Sequence, residues 1–405
     1  MEDNTMILAE GQYYSLDCYE TQLNNNVLVV GASGSGKTRS IVTPNLLQAT
    51  GSYVISDPKG NLCQEYGSYL KSRGYIVKKL DFTNPLESEK YNFFRYIHDT
   101  QDVLKVAHML MYSKDHPHGN DPFWDEAATL LLESLIAFLM ETQDEKFRNF
   151  HEMMTLSEYC LHPSIERMGL SILDTMMEDL TEGDGKSFAR RTYAKFRVAA
   201  DKTLRSILIT LNAHLARYDT PELAQMLSAD TINISSLGRR KTALFVVVSD
   251  TDRSLDTLAN VFFSQAMNEL CRFSDRKCKD YRLPVPVRFI LDDFATNCKI
   301  EEFPRMIASF RSRNISTMLM IQAESQLTES YGCDAKTIIG NCDTYIYLGG
   351  NDVDTARSVA ARCDLPLRKI LYMPVGTNWI FRRGQLPVNA RNFDLDSFLR
   401  EKLQR

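Results

Sequence analysis

The sequence predicts an α/β fold: a mostly parallel sheet with helices on both faces, interrupted by an inserted all-α domain. Three observations predict it. Short apolar, β-branched runs recur toward both ends of the chain. Helical stretches alternate with them, the pattern of strands joined by crossover helices. From about residue 97 to residue 230 the strand pattern disappears. The expected organisation is therefore a first α/β segment over 1–96, a helical insertion over 97–231 and a second α/β segment over 232–405.

The elements follow in order. Val27 to Val30 is a continuous apolar run, as a strand buried on both faces requires. A glycine-rich turn comes next, then a helical stretch to about Gln48. Further buried strands are expected at Tyr53–Ser56, Tyr75–Leu80, Leu244–Ser249, Val287–Leu291, Thr317–Ile321, Thr344–Leu348 and Trp379–Arg382. Helices are expected between them at Asn61–Arg73, Arg253–Phe273 and Ile300–Arg311. In the insertion, Gln101–Tyr112, Asp121–Thr142, Phe150–Cys160, Ser164–Leu180 and Ser187–Arg217 read as helix. Asp121 before Pro122 supplies a cap and a first-turn proline. In the last of these helices Phe196, Ala200, Leu204, Ile207, Leu211 and Leu215 form one apolar stripe.

Composition narrows the function classes. The chain of 405 residues is 44% hydrophobic and 24% charged, which excludes a disordered chain. A formal net charge of −5 excludes a uniformly basic coat protein. That total is uneven: 125–184 holds 14 acidic and 3 basic residues, whereas 186–217 holds 8 basic residues and one acid. The nine cysteines are scattered with no CxxC pair, as expected of reduced thiols in a cytoplasmic protein. No secretory signal is visible, and the longest apolar run, Thr129–Met140, is too short to span a bilayer and contains Glu133.

The sharpest motif is Gly31-Ala32-Ser33-Gly34-Ser35-Gly36-Lys37-Thr38, which fits the P-loop pattern. Inward-pointing backbone N–H groups surround a phosphate only where glycine permits positive φ and close approach. Lys37 would place a cation at the β- and γ-phosphates of ATP, and Thr38 a hydroxyl at Mg²⁺. The following helix N-terminus adds its dipole. Val287-Arg288-Phe289-Ile290-Leu291-Asp292-Asp293 has the form of a strand delivering acids to the ligand edge of such a sheet. Asp292 would hold Mg²⁺ through water and Asp293 would position the attacking water; alone, the motif would equally suit an acidic turn. Gln322, closing the run Thr317–Ile321, is placed to sense the γ-phosphate or simply to cap a strand. Arg311 and Arg313 suit two roles, arginine fingers across a subunit boundary or charges that complement a helix C-terminus.

A second candidate surface is basic. Arg191, Lys195, Lys202 and Arg205 are spaced to share one face of a continuous helix, with Arg190 and Arg197 beside it. Such a face tracks a DNA backbone without reading sequence, or is a solvated face neutralised by the acidic stretch upstream. His116 and His118 lack the spacing of a metal site.

Together these motifs resemble the VirD4/TraG family of type IV coupling proteins, the ATPases that feed DNA and proteins into conjugative secretion channels. The resemblance rests on Asn24–Val30 leading into the P-loop, Ser56-Asp57-Pro58-Lys59-Gly60 and Tyr91-Asn92-Phe93. It continues through Leu291–Asn297, Phe310–Ser316, Met320–Leu327 and Tyr345–Ala356. It implies a RecA-like P-loop NTPase domain and a homo-hexamer with sites between subunits. The implied partners are DNA, a relaxase or other secretion substrate, and the channel components. FtsK and HerA-type translocases are more distantly similar. Family members usually carry an N-terminal transmembrane hairpin, whereas this sequence starts almost at the ATPase core. Docking at the membrane would then need a partner. The usual second acid is Glu; Asp293 withdraws the carboxylate by about 1.5 Å. That shortening leaves room for an alternative, a nucleotide-switched adaptor with weak hydrolysis. A soluble FtsK/HerA-type translocase is the third possibility.

Overall fold

The computed structural model describes residues 4–112, 122–180, 187–294 and 299–403. Asp121, His116, His118, Lys186 and the end of Leu291–Asn297 fall outside them. Among the described residues the strands are β1 (Thr5–Ala9), β2 (Gln12–Ser15), β3 (Val27–Val30), β4 (Ser52–Ser56), β5 (Ile76–Asp81) and β6 (Thr242–Val247), followed by β7 (Val287–Leu291), β8 (Ile315–Ile321), β9 (Thr344–Tyr347), β10 (Thr377–Arg382) and β11 (Val388–Arg391). The chain divides into two units: Met1–Thr83, Asn233–Arg253 and Ala266–Arg405 form one, and Asn84–Ile232 with Ser254–Gln265 the other.

The first unit is built on a nine-stranded sheet in the order β11-β10-β9-β3-β8-β7-β4-β6-β5. From β9 to β5 every neighbouring pair is parallel, and β10 and β11 add antiparallel. Burial explains the composition of the strands. β3, β4, β6, β7, β8 and β9 are buried at every position, which only two covered faces allow. β10 alternates between half-buried and buried residues, so Trp379–Arg382 covers the core with one face. Helix Asn61–Ser72 crosses from β4 toward β5, entered through Gly60 and tied by the Asp57 carboxylate, which accepts from Cys63 N–H at 3.0 Å. Strands β2 and β11 carry no apolar run to stand out in the sequence, and β1, with its apolar run Met6–Ala9, is not among the expected strands.

The second unit is helical. Helix Phe123–Thr142 is apolar on almost every side, and so it is buried among helices Thr100–Met111, Phe188–Arg197 and Asp201–Leu215. Ser254–Gln265 joins this unit because Tyr91 packs edge-on against Phe262, with centroids 5.2 Å apart, and donates to Gln265 Oε1 at 2.5 Å.

Two helical expectations fail here. Ser164–Leu180 is helical only over Ile172–Asp179. Upstream, Pro163 bridges to Ser171 and Gly169 holds φ +86°, and the Ser171–Asp174 capping box starts the helix late. Ser187–Arg217 is two helices, Phe188–Arg197 and Asp201–Leu215, separated at 198–200 where Ala200 is extended (ψ 153°). No glycine or proline marks this break, and Ala200 leaves the stripe for solvent. In the first unit, Ile300–Arg311 is a short helix Phe303–Met306 followed by tighter turns.

Glu141 closes the N-terminus of helix Phe188–Arg197, accepting from Phe188 N–H at 3.0 Å, Ala189 N–H at 3.2 Å and Ser187 Oγ at 2.7 Å. Ser187 remains as a second cap. Glu141→Ala is therefore expected to cost about 0.5–1 kcal/mol. The check is a lower urea midpoint with an unchanged slope.

Candidate nucleotide-binding site

The loop Gly31–Lys37 joins β3 to a helical segment that begins as a π turn, Thr38–Val42, and continues as α-helix Thr43–Leu47. Pro44 has no N–H for Ser40, which favours the wider register, and Thr43 N–H reaches back to Thr38 O. Glycine is demanded at three positions of the loop, Gly34 among them at φ +75°. A Cβ on Gly31 would sit 2.5 Å from Ser35 Oγ, and Gly36 holds φ +90°. The loop is pinned from below: Gly31 N–H donates to Ile321 O at 3.1 Å and Ala32 N–H to Gly349 O at 2.9 Å. Ser33 and Gly34 lie on its outer turn, and Ser35 N–H closes it onto Ala32 O at 3.1 Å. Ser35 Oγ is buried without a hydrogen-bond partner among the described residues.

Lys37 is 9% exposed, and its ammonium donates to Gly31 O at 2.6 Å and Ala32 O at 3.3 Å. Burial pushes its pKa down, opposed by the charges of Asp292 and Asp293. Asp292 follows β7, and Thr38 Oγ1 donates to its Oδ2 at 3.3 Å. Burial first, and Asp293 second, push the Asp292 carboxyl up, while Lys37 holds it down. Asp293 sits in the left-handed region at φ +48°, with its N–H on Asp292 Oδ1 at 3.1 Å. Gln322 Nε2 donates to Asp293 Oδ1 at 3.4 Å.

The sheet order brings these residues together. β8 lies between β3 and β7, so Gln322 at its end falls between the loop and the two acids. Arg311 is not brought there. It precedes β8, a strand of seven residues or about 23 Å, and so lies at the opposite sheet edge, donating to Cys18 O at 3.0 Å. Arg313 is engaged by Asp275 at 2.8 and 2.9 Å.

The basic residues of the helical unit do not form one face. The break at 198–200 puts Arg191 and Lys195 on one helix and Lys202 and Arg205 on another. These four are exposed and Arg190 is half-buried. Arg197 leaves the set: its guanidinium holds the buried Asp174 at 2.7 and 3.1 Å, so it neutralises the acidic stretch.

Sequence reasoning missed Asn392 and Asp396. Asn392 Nδ2 reaches Ser35 O at 3.5 Å, and Asp396 pairs with Arg39, just past the loop. No local motif surrounds either, because their partners lie more than 350 residues away.

A glycine-rich loop after a buried parallel strand, acids just past a second strand and a polar residue just past the strand between them define a RecA-like P-loop NTPase fold. Solved structures agree on the fold. The plasmid coupling protein TrwB in complex with the ATP analogue ADPNP superposes with a TM-score of 0.70 at 15% identity, over 97% of this chain and 90% of that one. TrwB in complex with ADP and Mg²⁺ gives 0.69 at 16% identity, over 97% and 89%. The chain belongs to the type IV secretory system conjugative DNA transfer family, whose signature matches residues 3–363. It is similar to the type IV secretion system-coupling protein VirD4 of Bartonella henselae, 19% identical over 84% of this chain and 53% of that protein. It is also similar to the protein VirD4 of Rhizobium radiobacter, 24% identical over 81% and 46%. The chain thus spans about half the length of these relatives. No helix among the described residues is long and apolar enough to cross a membrane.

Proposed function

We propose that the chain is the ATP-hydrolysing motor of a conjugative or type IV secretion coupling protein, moving DNA without reading its sequence. The observation that carries this reading is the convergence of Lys37, Thr38 and Asp292 at one sheet edge, in a chain of the conjugative DNA transfer family. In this reading Gly31–Thr38 cradles the phosphates of ATP, and Lys37 moves from its loop carbonyls onto the β- and γ-phosphates. Ser35 Oγ, buried without a partner, supports a polar ligand here. The Thr38 hydroxyl and Asp292 carboxylate, 3.3 Å apart and both oxygen donors, suit Mg²⁺. That ion, when bound, neutralises phosphate charge. Asp293 orients water and Gln322 holds Asp293 or the γ-phosphate. Arg311, at the far edge of its own sheet, would act only on the nucleotide of a neighbouring subunit, which calls for a homo-hexamer. DNA contact falls to Arg191, Lys195, Lys202 and Arg205, with Arg190 beside them. A relaxase and the channel components would be partners on the cytoplasmic side of the membrane.

The test is ATP turnover and particle size measured together, with and without single- and double-stranded DNA. DNA-stimulated turnover by a ring-sized particle is expected; a monomer indifferent to DNA sinks the motor. One observation favours the second reading, a nucleotide-switched adaptor: Asp293 is both short and held at φ +48°. If reach limits hydrolysis, Asp293→Glu should raise kcat by up to about 100-fold, since ~1 Å of misplacement costs that much. An unchanged kcat means the backbone already compensates and the wild-type chain is a working motor.

A further inference from the structure

The edge of the sheet opposite the P-loop holds a second polar cavity. A space of ≈ 360 Å³ lies where β4, β7 and β8 begin, against the segment 16–19, lined by Arg282, Arg288, Arg311 and Asp17 among others. This size falls within the range of about 300–1,000 Å³ typical of small-ligand sites. Arg288 is the unusual member. It sits within β7, a strand buried at every position, and is 6% exposed. Its Nε donates to Ser316 Oγ at 3.2 Å. Burial pushes its pKa down, and the groups that oppose this are Tyr53 and Cys18, with no carboxylate among them. A buried cation so placed is costly unless something anionic reaches it.

The rest of the lining is preorganised around it. Arg311 is held by Cys18 O at 3.0 Å. Arg282 donates to Asn314 Oδ1 at 3.1 Å and lies over the Tyr19 ring, 5.0 Å from its centroid. Asp17 Oδ1 is occupied by the N–H groups of Tyr19 and Glu20 at 2.8 and 3.3 Å. Three guanidinium groups against one carboxylate leave the described lining net positive. Guanidinium forks match tetrahedral oxyanions with paired, charge-assisted hydrogen bonds.

We propose that this cavity binds a phosphate group, carried by inorganic phosphate or a small phosphomonoester, with Arg288 as its buried anchor. Arg288 and Arg282, the residues tested, have no part in the motor reading, so failure here leaves that reading untouched. Because the P-loop also attracts phosphate, the experiment uses the Lys37→Ala chain. Its thermal unfolding is followed against increasing inorganic phosphate and, separately, AMP. The melting temperature is expected to rise with at least one ligand, and Arg288→Met is expected to abolish the rise. Without ligand, Arg288→Met should melt at the same temperature or higher, because an uncompensated buried charge has gone. A response to phosphate alone identifies the free ion; a larger response to AMP identifies a phosphomonoester. No rise with either ligand, or a rise that survives Arg288→Met, overturns the proposal. So does an Arg288→Met chain that melts lower without ligand, which marks a structural arginine. If that variant does not fold, Arg282→Gln decides: about tenfold weaker binding supports the site, and unchanged affinity overturns it.

Discussion

Lys37→Ala is expected to lower ATP turnover by at least about 100-fold while leaving the fold intact. Removing one preorganised donor from a developing oxyanion commonly costs ~10²–10³ in rate, and Lys37 brings a full charge inside a water-poor loop. The residue is 9% exposed, and its ammonium is satisfied by two loop carbonyls, Gly31 O and Ala32 O. Asp292 and Asp293 are the charges that keep it protonated against burial. Alanine removes a buried cation rather than adding one, so thermal stability should change little. The measurements are steady-state turnover with Mg²⁺ and a melting curve on the same preparation. Wild-type turnover by a folded variant would remove the P-loop from the mechanism.

The second large effect concerns stability. Asp174→Ala is expected to destabilise the helical unit by about 3 kcal/mol, the lower end of the ~3–5 kcal/mol seen when one member of a buried ion pair is lost. The lower end applies because the Arg197 side chain remains 31% exposed. Asp174 ties its own helix to helix Phe188–Arg197: it accepts from Arg197 at 2.7 and 3.1 Å, from Tyr193 Oη at 3.0 Å and from Ser171 N–H and Oγ at 2.8 Å. Burial pushes its carboxyl up, but the hydrogen bonds from Arg197 and Ser171 outweigh burial and hold it below the usual range. A depressed carboxylate stabilises fully above its unfolded pKa, ~3.9. That contribution should therefore be intact at neutral pH and be lost as pH falls below about 4 toward the folded value. Urea unfolding of both chains at pH 7 and at pH 3 checks this. The gap should be wide at pH 7 and narrow at pH 3. An equal gap at both would deny the carboxylate its role. Asp174→Ala with Arg197→Met should recover part of the loss, since no unpaired charge remains.

Much of the site was readable because its chemistry is local. The P-loop needs glycine at Gly31 and Gly36 for reasons of a few bond rotations and one Cβ, and a strand buried on both faces needs an unbroken apolar run such as Val27–Val30. The capping box Ser171–Asp174 is equally local, and it starts the helix at Ile172 rather than at Ser164. The basic stripe is the instructive failure. A period computed along one helix loses its meaning once Val198–Ala200 unwinds, and Arg197 then turns to Asp174, 23 residues upstream.

What the sequence determined by itself is the glycine-rich loop after β3, the place of Asp292 and Asp293 just past β7, and the alternation that makes a parallel sheet. Those features depend on neighbours within about ten residues, where steric rules act directly. Tertiary structure alone decided that β8 inserts between β3 and β7, bringing Gln322 to Asp293, and that Asn392 reaches the loop. It also decided that Arg311 and the buried Arg288 face a cavity at the other edge. Strand order depends on how crossovers bury apolar faces between segments hundreds of residues apart, and no local pattern records that choice.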